Sequence, residues 1–278
     1  MKVLNLYAVA ALGVLSVFSL GCASQISYLK ARNELNKGVQ AFTAADYPTA
    51  VTRFTTALEL DPTLTDAKAY RSYAYMNQFF PGSTDPENMK MAQQAIDGFE
   101  EVLEVDPNNM LAISSMASLY FNMKEFDKAE ELHRKRIELA MAQEPVDPGA
   151  ADSYYTIGVI KWTDSYQPRI AARTEMKMSA TEPGPLKNAA QRQALAAEAI
   201  PAIESGIEAL NGALNVNPDY ADAMIYLNLL ERERADFAET QAEYDEHIAK
   251  ANEWVDKALA TKRRLAEEGT TEQFQRAE

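Results

Sequence analysis

Three near-copies of one phrase, each closed by a proline, constrain this chain more than any other feature. They read Ala57-Leu58-Glu59-Leu60-Asp61-Pro62, Val102-Leu103-Glu104-Val105-Asp106-Pro107 and Ala213-Leu214-Asn215-Val216-Asn217-Pro218. Each phrase ends an apolar-periodic stretch. The proline lacks an N–H and has a fixed φ, so it stops the helix and turns the chain. Before the first two phrases, small and aromatic residues stand at helical spacing: Ala50 and Phe54, Ala95 and Phe99. A helix stop that recurs with the same lead-in predicts an all-α repeat array. An apolar fraction of 47% supplies enough material for a core and excludes wholesale disorder.

The pattern resembles the tetratricopeptide repeat, a helix–turn–helix unit of about 34 residues. In that register the first unit starts at Ala31, with Gly38 and Ala50 at the small-residue positions where the paired helices cross. Ser72 and Ala95 hold those places in the second unit, and Ala117 and Ala129 in the third. His133 and Arg136 stand in the third unit where Phe and Ala are usual. A fourth unit begins near Ala151, with Tyr154, Ile157 and Gly158, and a fifth at Ala221, with Ala223, Met224 and Leu227. The resemblance implies a right-handed α-solenoid of about five units spanning 31–264. Insertions fall at about 79–89, 163–199 and 232–243, and a polar tail at 265–278. Small residues are needed at the crossings because a larger side chain would force the helices apart.

In such repeats the first helix of each unit lines a concave surface. Steps of three and four residues gather one face of that helix, and here they give an apolar, aromatic groove. Its candidate contacts are Phe42, Tyr73, Met76, Phe121, Tyr155 and Trp162, with an acidic rim at Asp66, Asp152 and Asp222. Ala69, Ser114, Tyr73 and Ser118 are not the Lys and Asn pattern that clamps a terminal carboxylate in chaperone-binding relatives. The expected guest is a helix or extended peptide with apolar anchors and some basic residues. Two readings of Trp162 stand side by side, core filling and ligand contact. The segment from Thr163 to Ala199 has three: a mobile loop leading into a helix from about Leu186, a partner-docking arm, or an arm that docks back onto the acidic rim.

The N-terminus reads as a targeting segment. Lys2 is the only charge before Cys22, and the run between them is apolar. Ser19-Leu20-Gly21-Cys22 resembles the lipobox of bacterial lipoproteins, in which the Cys is acylated and becomes the first residue. It departs from that pattern at Ser19, where Leu is usual. An uncleaved anchor helix is the alternative for residues 1–21. The resemblance implies a signal peptide over 1–21 and a lipid anchor on Cys22. It further implies a short tether over 22–30 and, from Ala23, a place at the outer membrane facing the periplasm.

Charge and residue counts close off other chemistries. A net charge of −14 is wrong for a surface that must meet phosphates, so no nucleic-acid partner is expected. One cysteine excludes a disulfide framework and any Cys-cluster metal site. Neither His133 nor His247 has a catalytic neighbour in sequence, and there is no nucleophile elbow, phosphate loop or calcium loop. No cofactor, metal or catalytic residue is assigned. The function expected is a membrane-anchored periplasmic adaptor that binds a peptide or protein partner. A transport component that hands substrate to a transporter is the alternative.

Overall fold

The computed structural model describes residues 25–179 and 182–275, which form ten helices and no strand. They are α1 (residues 25–43), α2 (Tyr47–Leu60), α3 (Thr65–Met76), α4 (Pro86–Val105) and α5 (Met110–Asn122). After these come α6 (Phe126–Met141), α7 (Gly149–Glu175), α8 (Ala189–Val216), α9 (Ala221–Asp236) and α10 (Gln241–Gln275). The signal segment and Cys22 lie outside the described residues. Among those that are described, no helix is long and apolar enough to cross a membrane.

The three proline phrases end their helices in the same way. Asp61, Asp106 and Asn217 cap α2, α4 and α8 outside the helical region, with φ of −147°, −131° and −131°. A residue before proline is pushed out of the helical region, so Pro62, Pro107 and Pro218 set these conformations. Each cap N–H still closes a final helical hydrogen bond four residues back, to the carbonyls of Ala57, Val102 and Ala213. Each cap side chain then accepts from the backbone two residues on, at Thr63, Asn108 and Asp219. That small turn aims the chain into the next helix. Starts are marked as clearly: Asp46, Asp85, Asn109 and Asn188 accept from first-turn N–H groups.

The chain divides between Glu125 and Phe126 into two compact units. In the N-terminal unit, Ala31, Ala50, Phe54, Ala57 and Ala67 are fully buried between α1, α2 and α3. Gly38 lies directly against the Phe54 ring, with no room for a side chain between them. Ser72 likewise faces the backbone of Gly98 across the α3–α4 pair. The insertion expected at 79–89 is a short connection after Met76, and α4 begins at Pro86.

In the C-terminal unit the segment 163–199 takes none of the open forms. Residues 163–175 prolong α7 and residues 189–199 open α8. The helix expected from about Leu186 begins at Ala189. Met178 and Leu186, in the intervening connection, are buried with Ala172, Ala199, Ile203 and Phe237. The described residues of the segment therefore form a strap packed on its own unit, with Arg169 and Arg173 meeting Glu233 and Asp236 in place of the acidic rim. Connection 237–240 joins α9 to α10, and α10 runs through 265–275, the stretch set apart in sequence as a polar tail.

Candidate functional site

The sequence-derived groove residues fall into two aromatic faces, one in each unit. In the N-terminal unit Phe42 meets Tyr47 and Tyr70 edge-on, with centroids 5.5 and 5.9 Å apart. Tyr70 stacks on the buried Phe54, and Tyr73 packs edge-on against Phe99 at 5.0 Å. Phe42, Tyr73, Met76 and Phe121 are half-buried, while Asp66 is exposed.

The C-terminal unit carries a longer run. Tyr155 lies 5.1 Å from Tyr220 and 5.4 Å from Tyr226; Trp162 lies 5.5 Å from Tyr226 and 4.8 Å from Tyr166. All five are half-buried, so each ring fills the seam between α7 and α9 and still shows a face to solvent. Trp162 thus packs in part against the core of its unit. Burial pushes the Tyr155 hydroxyl up to about 12, with Tyr226 and Asp222 adding to the shift, and burial beside Asp152 also raises Tyr220. These phenols stay neutral, and Tyr220 donates to Asp152.

The acidic rim is largely spoken for. Asp152 accepts from the Tyr220 hydroxyl at 2.8 Å, and Asp222 pairs with Lys262 at 2.9 Å. In this unit the rim holds the protein's own helices together before it meets a guest.

Sequence reasoning missed a buried ionic cluster at one end of the strip. Arg169 pairs with Glu233 and with Asp236, and Arg173 pairs with Asp236. Arg173 also donates to the carbonyls of Ser179 and Glu182, and the Leu186 N–H donates to the Asp236 carbonyl. Burial raises Glu233 to about 7 against the pull of Arg169. The signal was present: Arg169 and Arg173 are one turn apart on α7, as are Glu233 and Asp236 on α9. Only their meeting was invisible.

His133 is buried, and neither ring nitrogen has a hydrogen-bond partner among the described residues. Desolvation lowers it to about 4, so it is a neutral core residue. His247 sits 2.8 Å from Glu231. Among the described residues no group of His, Cys, Asp and Glu could hold a metal ion.

No protein-family model matches the chain. Its similarity to solved structures decides the architecture. A crystal structure of MamA superposes with a TM-score of 0.55 at 16% identity, covering 86% of this chain and 94% of that one. A double mutant of MamA from strain RS-1 gives 0.55 at 16%, covering 85% and 96%. The fold is TPR-like. A looser likeness, TM-score 0.49 at 13% identity over 83% of this chain and 85% of that one, is to YrrB, a TPR protein with an unusual peptide-binding site. At such identities, likeness establishes how TPR-like hairpins stack and leaves the guest to the side chains themselves.

Proposed function

We propose that this chain is a protein-interaction adaptor of the cell envelope, held at its membrane by acyl chains on Cys22, which captures a peptide or protein partner on the aromatic faces of its TPR-like hairpins. The α7–α9 strip carries the proposal. Five half-exposed rings in contact offer apolar area at little entropic cost, since the rings are already fixed by their neighbours. Such anchors are where binding energy concentrates at interfaces. The anchoring half rests on the Ser19-Leu20-Gly21-Cys22 sequence, because more than one acyl chain gives stable attachment to a bilayer.

Crosslinking and affinity capture from native envelopes tests the adaptor role. The Tyr155→Ala/Trp162→Ala variant should lose the partner that wild type retains, while a surface control such as Glu253→Ala keeps it. Equal retention by all three chains removes the strip from consideration. Cys22→Ser should move the protein from the membrane to the soluble fraction. A variant that stays membrane-bound refutes the lipid anchor without touching the adaptor reading.

A further inference from the structure

A second recess lies on a different face of α7 from the aromatic strip. It is a cavity of about 330 Å³ between α6, α7 and α8, lined by Ile137, Tyr154, Ile157 and Ala209 with Glu138 and Glu208 beside them. Tyr154 and Tyr155 are neighbours in sequence and so point about 100° apart around the helix, one into each face.

The recess is built into the packing. Tyr154 lies against Gly212, where an added Cβ would stand 2.7 Å from the ring. The glycine lets the ring lie flat along α8. Ile157 and Ala209 are buried and form an apolar floor. The volume admits one large aliphatic or aromatic side chain.

Its charges select the guest. The remaining lining residues, Arg134 and Ser205, do not balance the two carboxylates. Arg134 is committed, since its guanidinium forks onto Glu130 at 3.0 and 2.6 Å. Glu130 in turn takes Lys161 at 2.6 Å. Glu138 and Glu208 are exposed, and neither carboxylate has a hydrogen bond or ion pair among the described residues. An apolar socket flanked by two uncommitted acids complements an apolar side chain with cationic neighbours.

We propose that this cavity is a second docking site, which receives a leucine-sized side chain of a partner polypeptide flanked by lysine or arginine. An adaptor that is also engaged at its aromatic strip could then hold two polypeptides through different faces of one helix. The site depends on none of the strip residues.

The test uses the full chain with labelled isoleucine methyl groups. The probe is a short synthetic helical peptide of Ala, Leu and Lys, compared with a twin carrying Glu for every Lys. The Lys peptide should shift the Ile137 and Ile157 methyl resonances saturably. Its affinity should fall about tenfold in Glu138→Lys/Glu208→Lys, and the Glu twin should bind at least about tenfold more weakly. Both substitutions are at exposed positions, and an unchanged circular dichroism melt confirms folding. Equal binding of the two peptides overturns the proposal. So does unchanged affinity in the charge-reversed variant, absence of any shift at millimolar peptide, or shifts of other isoleucine methyl groups in place of those of Ile137 and Ile157.

Discussion

Asp236 holds two arginines at once: Arg169, 67 residues away, at 2.8 Å and Arg173, 63 residues away, at 2.6 Å. All three side chains are buried. This clasp ties the end of α9 to the extension of α7, and Arg173 carries it on to the strap at Ser179 and Glu182. Removing one partner of such a cluster leaves buried charge uncompensated, at a cost of roughly 3–5 kcal/mol. Asp236→Ala should therefore lower the unfolding midpoint of the C-terminal unit, followed by the fluorescence of Trp162 and Trp254. Trypsin should also cut faster at the exposed Lys177 and Lys187, which lie within the strap.

Gly158 and Leu210 meet with no space to spare. An added Cβ would lie 2.5 Å from both Cγ and Cδ2 of a leucine that is itself fully buried. Gly158→Ala gains helix propensity, about 1 kcal/mol. The overpacking costs about 1–3 kcal/mol and wins because Leu210 has nowhere to retreat. Net destabilisation in chemical denaturation is the expected outcome. Ala50→Leu, at the equivalent crossing in the N-terminal unit, should be worse, because it adds more volume at a fully buried position.

Two buried groups set the acid response, with opposite signs. His133, lowered to about 4, binds fewer protons folded than unfolded. Its contribution is fully present above the unfolded value near 6.5 and is lost as pH falls towards 4. Glu233, raised to about 7, binds more protons folded. Its contribution is present below the unfolded value near 4.5 and is lost as pH rises through 7. Between about 4.5 and 6.5 the two slopes oppose each other, so wild-type stability should vary little. His133→Phe should expose the Glu233 slope, with stability falling as pH rises. Glu233→Gln should expose the His133 slope, worth on the order of 3 kcal/mol across its window and rising with pH. Denaturation midpoints at several pH values read both.

Tyr73 and Phe99 form an edge-on pair 5.0 Å apart between α3 and α4. A double-mutant cycle with Tyr73→Leu and Phe99→Leu should return a coupling of about 0.5–1.5 kcal/mol beyond lost area. Both tryptophans lie in the other unit, so the cycle is followed by circular dichroism. A coupling of zero means that the edge-on geometry adds nothing beyond the area the two rings bury.

What the sequence by itself determined was local. Proline, the Asp or Asn before it, and the capping residues act within a few positions of the chain, so the helix ends at Pro62, Pro107 and Pro218 could be read directly. Gly38 and Gly158 mark close crossings because only a residue without a side chain tolerates the approach of Phe54 and Leu210. Tyr155 and Trp162, two turns apart on α7, likewise announced a face. Tertiary structure alone decided what that face meets. Tyr155 and Trp162 became half core, half surface because α9 brings Tyr220 and Tyr226 against them. Asp152 and Asp222 were absorbed by Tyr220 and Lys262. The 163–199 segment became a strap because Asp236, far along the chain, supplies the charge that Arg169 and Arg173 need. Such pairings depend on which surfaces helix stacking brings within a few ångströms, and spacing along one chain carries no record of that.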